Sequence, residues 1–397
     1  MTTTFEKTDK AMIVKLAGRL DTACSAQVTA EIDRTLAEAG EICSLMCDCE
    51  HLEYISSSGL RILLMLSRRY KDFTVVNVQP QVYDVLETTG FTKIMQVSRA
   101  MRLLSVEGCQ LIGIGGVGKV YRLDGDTIIK VFREGTTLEE VRHEIAMSKE
   151  AFVLGMPTAI SFDVVRVPMD DGECYGLVYE LLRAETLSSM IAKHPERIDE
   201  FAQKYAHLFL QLHDIEVPTN GHVPSAIERE RRQVEHIGRY FPQQSIDMMR
   251  YILDAIPEGN RLLHMDLQTK NAMIQDGELM LIDMGEIGYG NPVLDLGHAY
   301  SAMVALVGDY EKIIGLPKPL GVELWNKAID IYLAHLSADE IAKRKAQIEV
   351  VGCVRNFSWL SLSDSFPEEV INECRTLFDA RIGNRFDYIK EVCKTFK

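Results

Sequence analysis

Residues 262–286 read LLHMDLQTKNAMIQDGELMLIDMGE, and this stretch decides the fold. Leu262 and Leu263 lead into His264-Met265-Asp266, and Asn271 follows five residues after the aspartate. A turn signal, Gln275-Asp276-Gly277-Glu278, precedes a short apolar run from Leu279 to Ile282 and then Asp283-Met284-Gly285. The spacing predicts a loop followed by a hairpin of two short strands, with Asp283 at its far end. Such a loop gathers three oxygen-bearing side chains. Asp266 is free to orient a hydroxyl, while Asn271 and Asp283 can hold Mg²⁺. Phosphoryl transfer from ATP requires that set, because the enzyme chiefly positions reactants and neutralises phosphate charge.

Working upstream, Leu111 to Val120 reads LIGIGGVGKV, with Gly113, Gly115, Gly118 and Val120 in the pattern G-x-G-x-x-G-x-V. The flanks select between two uses of this pattern. Here Val120 to Leu123 continues as a strand, Asp124-Gly125-Asp126 turns, and TIIKVF returns from Thr127 to Phe132. A dinucleotide fold would open a helix at this point, whereas two antiparallel strands fit a glycine loop that brings backbone N–H groups close to a triphosphate. Lys130 lies on the returning strand, 12 residues after Gly118. A helix is expected from Leu138 to about Leu154, with Val141, Ile145 and Phe152 on one face. Glu144 on that helix is the carboxylate expected to pair with Lys130; the alternative is a solvated glutamate, since Glu139 and Glu140 stand nearby. Leu177 to Leu181 reads as the last strand before a hinge, where backbone groups from Glu180 to Leu182 would meet adenine.

H-x-D-x-x-x-x-N followed by D-x-G, with the glycine loop and Lys130 upstream, resembles the protein-kinase-like superfamily. Only nine residues separate Gly285 from Asp295 in GNPVLDLGHAY, and no A-P-E follows. That pattern resembles the aminoglycoside phosphotransferase and choline kinase-like branch over roughly residues 110–310. The resemblance implies an ATP- and Mg²⁺-dependent kinase acting on a hydroxyl, with Asp266 catalytic. It also implies that Asp295 anchors the catalytic loop and that His264 fixes the loop rather than shuttling protons. Gln268 stands where a protein kinase has lysine; Lys270 is the alternative cover for that phosphate, or an ordinary exposed loop lysine. Helices expected over Thr186–Ile215, Ser225–Tyr251, Gly321–Ala346 and from Pro367 onward complete a helical lobe.

Residues 1–100 read as a different domain. Strands are expected at Ala11–Leu20, Ile42–Cys49 and Phe73–Val78. Helices are expected at Ala26–Ala39, after Ser58-Gly59, and at Gln81–Thr88. This order of strands with helical crossovers implies an α/β sheet. Gly18-Arg19-Leu20-Asp21 and Tyr54-Ile55-Ser56-Ser57-Ser58-Gly59-Leu60 resemble the STAS domain of anti-sigma factor antagonists. By that resemblance Ser58, the serine before the glycine, is the phosphorylated one, although Ser56 stands where aspartate is usual. A phosphate there adds about −1.5 to −2 charges beside a helix N-terminus. Ser58 also reads as a plain N-cap.

The expected architecture is an α/β STAS-like domain over 1–100 followed by an α+β two-lobed protein-kinase-like fold over 101–397, with a nucleotide lobe at 101–181 and a helical lobe at 182–397. The acceptor is a small hydroxylated molecule or a STAS-domain serine. An anti-sigma factor or other STAS-binding protein is the expected partner. A non-catalytic nucleotide-sensing signalling protein is the alternative. The net charge of −15 argues against nucleic acid or an anionic membrane as partner. About −13 of it lies beyond residue 100, which is compatible with a cationic substrate and equally with simple solubility. Nine cysteines with irregular spacing fit free thiols in the cytoplasm. Cys43, Cys47 and Cys49 are expected on one face of a buried strand.

Overall fold

The computed structural model describes residues 1–397 apart from 9–10, 41, 171, 219–220, 363–364 and 397. Two compact units divide the chain, Met1–Ser105 with Val164–Pro168, and Val106–Asp163 with Met169–Lys397. Among the described residues no helix is long and apolar enough to cross a membrane.

In the first unit the strands β1 (Thr2–Thr8), β2 (Ala11–Leu20), β3 (Ser44–Ile55), β4 (Asp72–Val78) and β5 (Gln96–Arg99) form one sheet in that order. Strand β1 pairs antiparallel with β2, and the other pairs are parallel. Parallel neighbours need crossovers, supplied by helices α1 (Thr22–Glu38), α2 (Ser57–Arg69) and α3 (Pro80–Thr88). Alternation fixes the buried face, with Met12, Val14 and Leu16 on β2 and Leu45, Cys47 and Cys49 on β3 all inside. A Cβ at Gly59 would lie 2.8 Å from both Leu20 and Ile55, so only glycine lets α2 approach the sheet here.

Strand β1 precedes the strands expected from the sequence and forms an edge of the sheet. Two expectations for this unit change. Strand β3 runs to Ile55 rather than stopping at Cys49, because Leu52 and Ile55 continue to face the core. Cys43 is exposed and precedes the strand, so it does not share the buried face of Cys47 and Cys49.

The second unit begins with antiparallel strands β6 (Gln110–Ile114), β7 (Gly118–Arg122) and β8 (Thr127–Phe132), with β9 (Gly172–Glu180) beside β8. Helix α4 (Leu138–Val153) starts with a capping box in which Thr137 and Glu140 satisfy each other's orphan backbone donors. Its buried face is Val141, Glu144, Met147, Ser148 and Ala151. Phe152, expected on that face, is 54% exposed.

The helical part follows as α5 (Leu187–Lys193), α6 (Ile198–Asp214), α7 (Ala226–His236) and α8 (Gln243–Ala255). Short strands β10 (Arg261–Leu263), β11 (Ala272–Gln275), β12 (Glu278–Leu281) and β13 (Gly288–Gly290) carry the loop in which the catalytic residue is expected. Then come α9 (Pro292–Tyr300), α10 (Tyr310–Ile314), α11 (Lys318–Tyr332), α12 (Ala338–Ser358), α13 (Glu368–Arg381) and α14 (Phe386–Cys393). The single helical stretch expected over Gly321–Ala346 is two helices, because Ser337 and Glu340 form a capping box that starts α12. One apolar core, including Tyr205, Phe209, Leu263, Leu294, Val351 and Phe357, joins these elements.

Candidate active site

The glycine loop is the turn between β6 and β7, closed by the Gly115 N–H donating to the Gly118 carbonyl at 2.9 Å. Gly113 faces Val120 across the pair. A Cβ at Gly118 would stand 2.2 Å from the Val131 carbonyl oxygen, so any side chain there must push β7 from β8. Gly118→Ala is therefore expected to cost about 1–3 kcal/mol and to weaken nucleotide binding. Thermal unfolding and ADP titration check this, and wild-type values for both would remove the steric account.

On β8, Lys130 points at two carboxylates. Its Nζ donates to Glu144 Oε1 at 2.8 Å and Oε2 at 2.9 Å on α4, and to Asp283 Oδ1 at 3.0 Å. Tyr179 on β9 donates its hydroxyl to Glu144 Oε1 at 3.1 Å, so the glutamate is held from two sides. Burial pulls the Lys130 pKa down, but Asp283 and Glu144 outweigh it and leave the ammonium above its ordinary value. Burial raises Glu144 even against the attraction of Lys130, since the Asp283 carboxylate adds repulsion. The short bidentate contact supports a charged Lys130 facing a carboxylate. Strand β9 ends at Glu180, and the Leu181 N–H donates to the Asp126 carbonyl at 2.7 Å. This bond fixes the start of the segment that carries Leu182.

The catalytic loop leaves β10, which pairs antiparallel with β13. Met265 takes φ 65 and Asp283 φ 62, left-handed values that cost non-glycine residues about 1–3 kcal/mol each. Surrounding bonds over-determine the Met265 peptide. Asp295, fully buried on α9, accepts from the Met265 N–H at 2.7 Å and the His264 N–H at 3.1 Å. His298 Nδ1 meets the Met265 carbonyl at 2.5 Å. His213 Nε2 reaches Asp295 at 3.2 Å, and the Tyr205 hydroxyl donates to the Leu267 carbonyl at 2.5 Å. His264 accepts from the Asp266 N–H at Nδ1 (3.2 Å) and faces the Ile282 carbonyl with Nε2 (3.3 Å). Nε2 therefore carries the ring hydrogen, and both nitrogens are spent on bracing the loop.

Asp266 Oδ2 accepts from Asn271 Nδ2 at 2.8 Å and from Gln268 Nε2 at 3.4 Å. The same Asn271 nitrogen donates to the Asp266 carbonyl at 2.8 Å, which leaves Asn271 Oδ1 for a cation. Burial raises the Asp266 pKa, with the positive charge of Arg355 the leading opposing influence. Lys270 does not face this group; its Nζ donates to the Lys312 carbonyl at 2.5 Å, at the side of α10.

In the first unit, Ser56 and not Ser58 caps α2, accepting from the Gly59 N–H at 3.3 Å. Ser58 sits in the first turn with its hydroxyl 3.5 Å from Thr22 Oγ1 at the start of α1.

Tyr179, His298 and Glu230 escape the sequence reading. A signal exists for His298, which lies three residues after Asp295 on one helix face. Glu230 on α7 is buried, with its Oε1 3.0 Å from His298 Nε2. Burial would raise this carboxyl, but His298, Arg355 and Arg229 hold it down at about 2 against an ordinary 4.5. A lowered carboxyl favours the folded form above its unfolded pKa, and that contribution is lost as pH falls from about 4.5 through about 2. The full shift is worth roughly 3 kcal/mol. Glu230→Gln is expected to flatten the acid limb of stability in denaturant titrations across that same window. A variant with the wild-type acid limb would contradict this.

Comparison with known proteins comes from both units. Residues 2–102 match the STAS domain family, and residues 109–312 match the phosphotransferase enzyme family. A Bordetella bronchiseptica protein named as an anti-sigma factor antagonist, BtrV, is 30% identical over 104 residues, covering 25% of this chain and 88% of that protein. The GDP complex of wild-type aminoglycoside 2'-phosphotransferase-IIIa aligns with a TM-score of 0.46 at 14% identity, over 77% of this chain and 99% of that one. A choline/ethanolamine kinase family protein from Mesorhizobium loti aligns with a TM-score of 0.42 at 13% identity, over 72% and 87%.

Proposed function

The chain belongs to the phosphotransferase enzyme family and carries a STAS domain ahead of it, and from that premise we propose an ATP- and Mg²⁺-dependent kinase whose acceptor is a hydroxyl. One arrangement carries this reading: Lys130 held between Glu144 and Asp283, with Asp266 and Asn271 hydrogen-bonded to each other. Residues 101–181 form the nucleotide lobe and 182–397 the helical lobe in this proposal. Gly113, Gly115 and Gly118 bring backbone donors to the phosphates, Val120 packs under the base, and the backbone of Glu180 and Leu182 receives adenine. Lys130 neutralises the α- and β-phosphates, and Glu144 keeps it aimed.

The donor set fits Mg²⁺, since Asn271 Oδ1 and the Asp283 carboxylate are hard oxygen ligands. Asn271 and Asp283 would hold the ion, which would supply positive charge to offset that developing on the transferred phosphoryl group. Asp266 orients the acceptor hydroxyl in line with the γ-phosphorus. The bond from the γ-phosphorus to the bridging oxygen breaks as the acceptor O–P bond forms. ADP leaves with the electron pair of the broken bond, and the hydroxyl proton passes to Asp266 late in the step.

The STAS domain, residues 1–100 in this proposal, is a cytoplasmic regulatory or docking module for an anti-sigma factor or similar partner. Its Ser58 is a candidate phosphoacceptor in cis or in trans, because tethering acceptor and kinase raises their effective concentration. Intact-protein mass spectrometry after incubation with ATP and Mg²⁺ tests both levels, with wild type, Asp266→Ala and Ser58→Ala compared. One added phosphate in wild type alone supports self-phosphorylation at Ser58. No added phosphate, with ATP still bound and hydrolysed in an Asp266-dependent way, assigns the hydroxyl to a small molecule. ATP binding without any Asp266-dependent turnover favours the non-catalytic sensor.

A further inference from the structure

Helix α7 reaches both loops on which the proposed transfer depends, and it does so with adjacent residues. Arg229 and Glu230 are consecutive, and successive side chains leave a helix roughly 100° apart. Glu230 turns to His298 Nε2 at 3.0 Å, and His298 Nδ1 meets the Met265 carbonyl, one residue before Asp266. Arg229 turns to the segment that follows Asp283. Its guanidinium donates to the Glu286 carbonyl and, at 3.4 Å, to the Ile287 carbonyl, while its Nε stands 3.4 Å from Glu286 Oε2. The Arg229 side chain is 15% exposed and that of Glu286 51%, so the bonds to the backbone matter more than the solvated ion pair. The start of α7 fits the same segment. The Tyr289 N–H donates to the Pro224 carbonyl at 2.9 Å, and a Cβ on Gly288 would lie 3.0 Å from that of Ala226.

Asp283 needs a restraint of this kind. Its φ of 62 is left-handed, and a non-glycine residue stays there only where its surroundings over-determine it. Upstream, the Ile282 N–H donates to the Asn271 carbonyl at 3.0 Å. At Asp283 itself, Oδ1 accepts from Lys130 at 3.0 Å. On the kinase reading Lys130 turns to the phosphates once nucleotide is bound, so that bond is not what fixes Asp283 in the loaded site. Downstream stands one tight turn, Met284–Glu286, closed by the Ile287 N–H donating to the Met284 carbonyl at 3.3 Å. Arg229 grips the end of that turn at two successive carbonyls. A planar guanidinium with several fixed donors can hold both at once, whereas an ammonium acts as a single point.

We infer that Arg229 is the positioning residue for Asp283: by fixing the carbonyls of Glu286 and Ile287 it holds the turn that aims the Asp283 carboxylate at the metal. This rests on the kinase reading above and adds to it a residue that touches neither nucleotide nor acceptor. Glu230, its neighbour, serves the other loop through His298, so the two side chains divide the work of one helix. Supports behind a metal ligand commonly carry 10- to 100-fold in metal affinity, and Arg229 stands in that relation to Asp283 through the backbone.

The test titrates Mn²⁺, a spectroscopically visible stand-in for Mg²⁺, into the ADP complex of the full chain, and records ADP affinity in EDTA and thermal unfolding beside it. Wild type, Arg229→Gln, Arg229→Lys, Glu230→Gln and Asp283→Asn are compared, together with Arg229→Gln in the Asp283→Asn background. Arg229→Gln should weaken Mn²⁺ binding about 10- to 100-fold and leave ADP affinity in EDTA at the wild-type value. Arg229→Lys, which keeps the charge and part of the bulk, should recover part of the loss; it also serves as the measured variant if glutamine prevents folding. Asp283→Asn should weaken Mn²⁺ binding by itself, and adding Arg229→Gln to it should change little, because residues that act through one another are not additive. Glu230→Gln should keep the wild-type Mn²⁺ affinity. Wild-type Mn²⁺ affinity in both Arg229 variants overturns the inference, and so does an Arg229→Gln loss as large without the Asp283 carboxylate as with it. An equal loss in Glu230→Gln overturns it too, since α7 would then merely have loosened. If wild type binds ADP but the complex takes up no Mn²⁺, the metal assignment falls and this inference with it. If ADP is not bound at all, the kinase reading falls first.

Discussion

Asp266→Asn is expected to lower phosphoryl transfer by about 10²- to 10⁴-fold, the usual contribution of a positioned general base. The substitution is isosteric, and an amide oxygen can still accept from Asn271 Nδ2, which now donates to Asp266 at 2.8 Å. Loop geometry and ADP affinity should therefore survive. On the proposed mechanism, what disappears is the negative charge that would align the acceptor hydroxyl and the site that would take its proton. The loss should fall on kcat with little change in KM for ATP, because Lys130, Glu144 and the glycine loop stand apart from this carboxylate. Steady-state kinetics with whichever acceptor supports turnover, alongside thermal unfolding, separates the two effects. A variant within a few-fold of wild type in kcat would remove Asp266 from the chemistry. A variant that also lost ADP binding would instead point to collapse of the loop.

The loop after Leu263 and the hairpin that follows it were legible because their signals are local. Turn residues at 275–278, an apolar run and three spaced oxygen-bearing side chains all lie within 25 residues, and β11 and β12 form where they indicate. The choice among Glu139, Glu140 and Glu144 was harder, since all three sit on one helix. Thr137-x-x-Glu140 is itself a capping-box pattern, and the structure uses Glu140 that way while Glu144 turns inward to Lys130. Read with that rule, the sequence already disposes of Glu140. The bracing behind the loop was less legible. Asp295 carries a recognisable pattern, but Tyr205, His213, His298 and Glu230 come from helices far apart in sequence, and no periodicity brings them together. Edge strand β1 was missed for another reason: its residues are mostly exposed, so it carries no apolar face to read.

Asp295→Ala should be the most destabilising single change in the helical lobe, at about 3–5 kcal/mol, the range for breaking a buried charged pair by removing one partner. The carboxylate is fully buried and serves three donors, the Met265 N–H, the His264 N–H and His213 Nε2. Alanine would leave both backbone donors dry and unpaired, and each such group costs about 1–3 kcal/mol. It would also release Met265 from φ 65, a conformation that persists because these bonds hold it. Stability and catalysis should therefore fail by one route, with Asp266 losing its place as the peptide before it relaxes. Asp295→Asn separates the parts. Its oxygen can still accept from one donor, but its NH₂ must face another, so it should lose less stability than alanine while still misplacing the loop. Burial alone would raise the Asp295 carboxyl, and the bond and charge of His213 together with His264 bring it below the ordinary range. Its charged form thus favours folding above the unfolded pKa, and that contribution fades as pH falls through the folded value. The asparagine variant should accordingly lie closest to wild type in acid and furthest from it near neutrality. Denaturant titration across that range, with kcat measured at neutral pH, checks the coupling. An alanine variant as stable as wild type would mean that the Met265 conformation needs no such restraint, and the bracing of the loop would have to be sought in His298 and Tyr205 alone.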